Sequence, residues 1–231
     1  MDPRVIPYWL HVLSITSLSL GFGCAAIVIV DEWRGPQPMW IMNLVWPTVA
    51  LFGSLLTLWV YFRYGHARKD GTPQAIITSK ATLHCGAGCT LGDICAEWLV
   101  FAVPVIAIAF GWQSLLNEKI FAVWIFDYLF AFAFGILFQY FTIAPMRDLS
   151  LSAGLVAAVK VDALSLSAWQ IGMYGYMTFA QFVLFRYLMQ TNLEVASTEF
   201  WFMMQIAMLA GFLTAYPVNS WLLRVGVKEP M

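Results

Sequence analysis

The 231-residue chain is 61% hydrophobic and only 11% charged, against about 45–50% and 25% in soluble proteins. A water-soluble domain of this size has no means of burying so much apolar surface, so we expect a lipid bilayer around the chain. The net charge of −1 and the lack of a basic stripe in the sequence speak against nucleic acid as a partner.

Six apolar stretches are each long enough to cross a hydrocarbon core, which takes about 20 helical residues. Helices are expected because isolated strands leave backbone groups without hydrogen bonds in lipid. The first stretch is too long for the apolar part of a signal peptide, so we expect it to be retained. The predicted spans are Tyr8–Val30, Met39–Phe62, Leu83–Trp112, Ile120–Ile143, Leu164–Met189 and Phe200–Leu223. The predicted fold is an all-α bundle of six transmembrane helices in a single membrane domain, residues 1–231.

The orientation of these spans is predicted from the basic residues in their connections, since cytoplasmic loops are rich in Lys and Arg. The richer connections hold Arg63, Arg68, Lys69 and Lys80, then Arg147 and Lys160, then Arg224 and Lys228. The poorer ones hold Arg34, then Lys119, then no basic residue at all. Because the two kinds alternate, both termini are predicted to be cytoplasmic, in an inner membrane. Residues near 149–163 are apolar but interrupted by Lys160 and Asp162, which predicts an interfacial helix before the fifth span.

The third span opens with residues that are able to bind a metal. Cys85, Cys89 and Asp93 recur every four residues, so they share one face of a helix, with His84 beside them. Thiolate and imidazole ligands at this spacing suit a soft metal such as copper. The alternative is close helix packing, because the glycines of the same stretch, Gly86, Gly88 and Gly92, are small residues of the kind found where membrane helices touch.

Acidic residues inside the predicted spans are the second signal. Asp93, Glu97 and Asp127 lie within apolar stretches that have no Lys or Arg at matching depth. A carboxylate at the bilayer centre costs about 2.5–3.5 kcal/mol on insertion scales, so such groups usually belong to a pathway or a site. We therefore expect each to carry a proton, to bind a cation, or to be protonated and hydrogen-bonded to a neighbouring helix.

Two weaker patterns bear on cofactors. Met173 and Met177 lie one turn apart on the fifth span, which is compatible with thioether ligands for copper(I) but also with ordinary apolar packing. His11 and His84 are both predicted near the cytoplasmic side, where two histidines at one depth would be able to clamp a haem. Copper is thus the first cofactor expected, and haem the second.

Three segments carry a resemblance to a known family: LHCGAGCTLGDICAE, KVDALSLSAWQIGMYGYM and AYPVNSWLLRVGVKEPM. In this order they resemble the bacterial and archaeal membrane family catalogued as domain of unknown function 4396. The resemblance covers residues 82–231, as a four-helix core preceded by two leading helices in residues 1–63. It marks Pro217 and Asn219, with His84, Cys85 and Cys89, as signature positions. Some members carry a copper-oxidase label, which implies an association with copper.

Three functions remain open from the sequence. The first is a copper-binding membrane protein in copper handling or assembly, and the second is an accessory subunit of a larger membrane complex, with other membrane subunits as partners. The third is a haem- or quinone-linked redox protein. No nucleotide loop, nucleophile triad or zinc-protease motif occurs in the sequence, so we do not expect an enzyme acting on its own.

Overall fold

A computed structural model describes residues 6–65, 72–147 and 149–229 of the chain. Within these ranges the chain is helical, and six of its helices are long and apolar enough to cross a membrane, which confirms the predicted all-α fold with six long apolar helices. The helices are α1 (Tyr8–Arg34), α2 (Met42–Val60, continued by a π-helical turn Tyr61–Gly65), α3 (Gln74–Ala102), α4 (Val105–Ala109), α5 (Lys119–Arg147), α6 (Leu151–Thr178, continued by a π-helical segment Phe179–Leu188) and α7 (Thr198–Arg224).

The third helix begins and ends earlier than its predicted span. It starts at Gln74 and stops at Ala102, because Pro104 disfavours helical backbone at the residue before it and removes an amide donor. The predicted interfacial segment, residues 149–163, continues without a break into the rest of α6. Asp162 from this segment is fully buried in the bundle, whereas Lys160 is exposed.

α2 reverses its direction at Ser54, where the backbone has φ 43° and ψ −123°. The Thr57 hydroxyl donates a hydrogen bond to the Val49 carbonyl at 3.4 Å across this turn. The Trp46 and Tyr61 rings meet edge to face with centroids 5.5 Å apart, whereas a straight helix would separate these residues by about 22 Å. α2 is therefore a hairpin of two half-length helices.

Both ends of this hairpin lie at the same end of the bundle. Its first arm follows α1 after a short link, and the Tyr61 hydroxyl of its second arm donates to the Asp31 carboxylate in the last turn of α1 at 2.8 Å. Its tip reaches the middle of the bundle, where the Leu51 carbonyl accepts a hydrogen bond from Gln205 of α7 at 2.6 Å. The second apolar stretch thus enters and leaves on one side, as a re-entrant hairpin.

We call the two ends of the bundle the basic end and the far end. The basic end holds the end of α1, the start of α3, the end of α7 and, among the described residues, Arg34, Arg63, Lys80, Lys160, Arg224 and Lys228. The far end holds the start of α1, the end of α3 and the start of α7, because His11 contacts Glu199 at 2.6 Å and Trp98 stacks on Trp201. The predicted contributions of Arg68 and Lys69 lie outside the described residues.

The described helices therefore differ from the predicted arrangement, in which both termini face the same side. α1 and α7 run parallel, as the pairs His11–Glu199 and Ser17–Gln205 show, so the first and last described residues lie at opposite ends of the bundle. The difference has a physical cause: the re-entrant hairpin has the length and hydropathy of a span without crossing. Since basic residues gather at one end, the positive-inside rule now predicts that the end of α7 is cytoplasmic and the start of α1 external.

This arrangement predicts opposite labelling of two introduced cysteines in intact cells. Tyr8→Cys lies at the far end and Val225→Cys at the basic end, and both native side chains are more than half exposed (81% and 51%). With Cys95 replaced by serine, a membrane-impermeant maleimide should label Tyr8→Cys directly and Val225→Cys only after the membrane is opened. Labelling of both sites from the same side of the membrane would contradict the hairpin.

Candidate functional site

α3 runs through the interior of the bundle, and this placement buries the predicted site residues. It packs against α2, α5, α6 and α7. Close approach to α5 depends on its glycines: a Cβ added at Gly88 would lie 2.6 Å from the Gly135 Cα, and one at Gly92 would lie 2.5 Å from the Ala131 Cα. The small-residue pattern therefore serves helix packing, as the alternative interpretation of this motif held.

The predicted metal ligands are buried, but they do not converge on one point. The His84 Nε2 lies 2.9 Å from the Thr142 hydroxyl of α5, and its Nδ1 has no partner in the described part of the chain. The thiols of Cys85 and Cys89 interact with each other, whereas Asp93 turns to α6. Among residues 6–65, 72–147 and 149–229, no group of three or more His, Cys, Asp or Glu side chains is placed to hold a metal ion. Copper binding stays a prediction.

The histidine pair considered for haem is separated along the bundle. His11 binds Glu199 at the far end, whereas His84 faces Thr142 nearer the basic end. The expectation that they share one depth is wrong, because it assumed that α1 starts at the basic end.

Met173 and Met177 are buried in the main apolar core among other hydrophobic side chains, as apolar packing predicts.

The intramembrane acids, by contrast, do come together. Asp93 and Glu97 of α3 face Asp127 of α5, and all three side chains are buried. The Asp93 Oδ1 accepts a hydrogen bond from the Gln170 amide of α6 at 2.9 Å, while its Oδ2 has no donor among the described residues. Asp127 and Glu97 are close enough for their carboxyl groups to interact. We call these residues the acid cluster.

A hydrogen bond between two carboxyl groups requires a proton on one of them, since carboxylates only accept. Without that proton neither oxygen of Asp127 has a donor in the described part of the chain. None of the three acids forms a salt bridge within the same ranges. Two bare carboxylates this close in a low-dielectric interior would repel strongly. The acid cluster is therefore built to hold at least one proton.

Tyr174 closes the acid cluster on the α6 side. Its hydroxyl donates to the Trp124 carbonyl at 3.0 Å and lies within electrostatic reach of all three acids. Toward the far end, Lys119 acts on Glu97 through space. Beyond it, Arg186 donates to both oxygens of Glu118 at 2.7 and 2.9 Å, and these hydrogen bonds lower the pKa of Glu118.

A second buried polar cluster lies at the basic end. The Lys228 ammonium donates to the Asp162 carboxylate at 2.6 Å, to the Asn219 side-chain oxygen at 2.8 Å and to the Ala81 carbonyl at 3.2 Å. The Lys228 and Asp162 side chains are completely inaccessible to solvent. Asn219 also donates to the Ser165 hydroxyl at 2.6 Å. We call this set the tail cluster, because Lys228 follows the last helix.

The tail cluster explains a predicted signature position. Pro217 lies inside α7, two residues before Asn219. Asn219 donates to the Ala215 carbonyl at 3.0 Å and accepts from Lys228, so it joins the end of α7 to the residues that follow it. Sequence reasoning missed the partnership of Asp162 with Lys228; two opposite charges in apolar segments were the available signal.

Together the two clusters form a line of polar groups through the bundle. Lys228 lies within electrostatic reach of His84, and Asp162 and Asp93 lie within reach of Cys89. Ala81, which binds Lys228, and Glu97 are 16 residues apart on α3, about 24 Å of helix against a hydrocarbon core of about 30 Å. We call this line the polar file; its members are Lys228, Asp162, Asn219, His84, Cys85, Cys89, Asp93, Gln170, Glu97 and Asp127.

A family model for a domain of unknown function, DUF4396, matches residues 77–228, which is most of the chain. The chain belongs to the DUF4396 family. This confirms the resemblance stated from the sequence motifs. The DUF4396 match begins just before the α3 motif and ends at Lys228, so both the acid cluster and the tail cluster lie within it. No curated protein and no solved structure matches the chain.

Proposed function

We propose that this DUF4396 protein conducts protons through the membrane along the polar file. One observation carries the proposal: three buried carboxyl groups from two helices meet without a salt bridge among the described residues, and neither oxygen of Asp127 has a hydrogen-bond donor there. Ionisable groups inside a membrane domain are costly and usually mark a pathway.

The order of groups along the file supports proton transfer between neighbours. Near the far end, Glu97 and Asp127 are close enough for their carboxyl groups to interact. Asp93 follows one helical turn along α3, with one oxygen free of donors among the described residues. The thiols of Cys89 and Cys85 and the unpartnered Nδ1 of His84 come next. Each of these groups is able to accept or donate a proton, and the tail cluster stands at the basic end.

Proton flux into vesicles tests the proposal. Purified protein is reconstituted in liposomes that enclose a pH-sensitive dye, and a potassium gradient with valinomycin sets the driving potential. The wild type should acidify the lumen faster than protein-free vesicles do. Asp127→Asn and Glu97→Gln should reduce the flux to the protein-free rate, because a side-chain amide does not ionise near neutral pH and so does not relay a proton as a carboxyl group does.

The matched control is Glu199→Gln, which changes a buried acid outside the polar file that is bound to His11. Its flux should equal that of the wild type. A wild-type rate no greater than that of empty vesicles would overturn the proposal, as would full activity in Asp127→Asn. A flux that requires sodium inside or outside the vesicles would also overturn it, since the acid cluster would then carry a metal cation.

Copper handling is the second proposal, supported by the contact between two buried free thiols one helical turn apart. Copper(I) favours such soft ligands. Metal analysis of the purified protein before and after Cys85→Ser/Cys89→Ser tests this directly. A copper content that is negligible in both forms would remove copper and leave the proton proposal untouched.

A further inference from the structure

A cavity of about 430 Å³ lies beside α3, on a different face of this helix from the acid cluster. The tip of the α2 hairpin, Leu51 and Phe52, forms its wall toward the basic end, and Trp98 and Trp201 stack at the far end. Its volume is within the range of about 300–1,000 Å³ that is typical of sites for small molecules.

The cavity exists because the hairpin is short. α2 packs against both α1 and α3 and so separates them, but its turn at Ser54 leaves this space unfilled toward the far end. α1 and α7 close two sides through Leu18 and Met204. A full transmembrane helix at this position would have occupied the same space.

The lining is apolar, and its polar side chains already have partners. The Thr90 hydroxyl donates to the Gly86 carbonyl at 2.8 Å. Gln205 donates to the Leu51 carbonyl at 2.6 Å and accepts from the Ser17 hydroxyl at 2.7 Å. A polar guest would therefore lose its hydration without gaining new hydrogen bonds, which is unfavourable.

The cavity opens sideways to the surroundings of the bundle. Phe22 and Trp98 at its rim are 64% and 46% exposed, and they lie on helices that cross the membrane. The opening therefore faces hydrocarbon. An empty apolar space beside lipid loses dispersion contacts along its whole lining, so chains from the neighbouring leaflet are drawn into it.

We propose that this cavity is a binding site for one phospholipid acyl chain from the leaflet at the far end. The site does not depend on the proposed proton function, because its lining shares no residue with the acid cluster. The bound chain completes the bundle where the hairpin ends, and it fixes the hairpin tip against α7.

Native mass spectrometry of protein delipidated in mild detergent tests this site. The wild type should retain one phospholipid per chain. Leu91→Phe/Ile94→Phe fills the cavity from α3 and should retain none. The matched control is Ile171→Phe/Leu213→Phe, which adds the same bulk at two positions that are 70% and 71% exposed; it should retain one phospholipid.

Quenching of tryptophan fluorescence gives a second measurement on the native sequence. In vesicles of phospholipid brominated in mid-chain, the stacked pair Trp98 and Trp201 should be quenched, and Trp98→Phe/Trp201→Phe should lose that quenched component. Equal lipid retention by the filled and wild-type forms would overturn the proposal. So would a retained isoprenoid in place of a phospholipid, or a dimer that covers the opening.

Discussion

Replacing Lys228 with methionine is expected to destabilise the folded bundle by about 3–5 kcal/mol, the range measured when one partner of a buried ion pair is removed. The Lys228 and Asp162 side chains are both fully buried, and the ammonium also supplies hydrogen bonds to Asn219 and Ala81. Without it, Asp162 keeps a carboxylate in the interior with no counter-charge among the described residues, and Asn219 loses a donor. The free energy of unfolding in mixed detergent micelles measures the loss.

The double variant Asp162→Asn/Lys228→Met separates the cost of an orphaned charge from the value of the pair. With both charges gone, most of the lost stability should return, because a buried ion pair contributes little beyond its own desolvation. Lys160→Met is the matched control, since Lys160 is exposed on the same helix as Asp162, and it should change stability by less than about 0.5 kcal/mol. A double variant no more stable than Lys228→Met alone would contradict this account.

The Gly92→Ala substitution is expected to destabilise the bundle by about 1–3 kcal/mol, the usual cost of overpacking a close interface. A Cβ at this position would lie 2.5 Å from both the Cα and the N of Ala131 and 2.7 Å from the carbonyl carbon of Phe130. These are backbone atoms, so no side-chain rotation relieves the clash. α3 and α5 must instead move apart, and the contact between Glu97 and Asp127 lies across the same interface.

Gly175→Ala provides the control of opposite sign. Gly175 lies inside α6, and an added Cβ would meet nothing within 4 Å. Alanine there should stabilise the helix by up to about 1 kcal/mol, because glycine is the weaker helix former. Unfolding by sodium dodecyl sulfate in mixed micelles compares the two variants on one scale. Equal stabilisation by both substitutions would show that α3 and α5 are not in backbone contact.

The proton and copper proposals share residues but differ in what they demand of them. Copper requires ligands that converge, whereas among the described residues the Cys85 and Cys89 thiols interact with each other and Asp93 is bound to Gln170. A proton relay requires only that each group lies next to the following one along a path through the bundle. The polar file is arranged in this way. The sequence also predicted that the chain associates with other membrane subunits, and this association stays a prediction.

Much of this protein was determined by the sequence alone. Hydropathy predicted six long apolar helices, since lipid forces backbone hydrogen bonds to close within each segment. The glycines of α3 predicted a close helix contact, and the acids within apolar stretches predicted a polar interior. Sequence motifs over residues 82–231 indicated the family, and the match over residues 77–228 confirmed it.

The tertiary structure decided the course of the chain and the partners of its charges. One residue with positive φ, Ser54, turns a span-length segment back on itself; length and hydropathy are the same for both paths, so they do not distinguish them. That single reversal places the start of α1 and the end of α7 at opposite ends of the bundle. Glu97 and Asp127 lie on different helices, as do Asp162 and Lys228, and only packing brings each pair together. Hydropathy records how apolar a segment is, whereas the meeting of two side chains depends on where each helix turns and which face it buries.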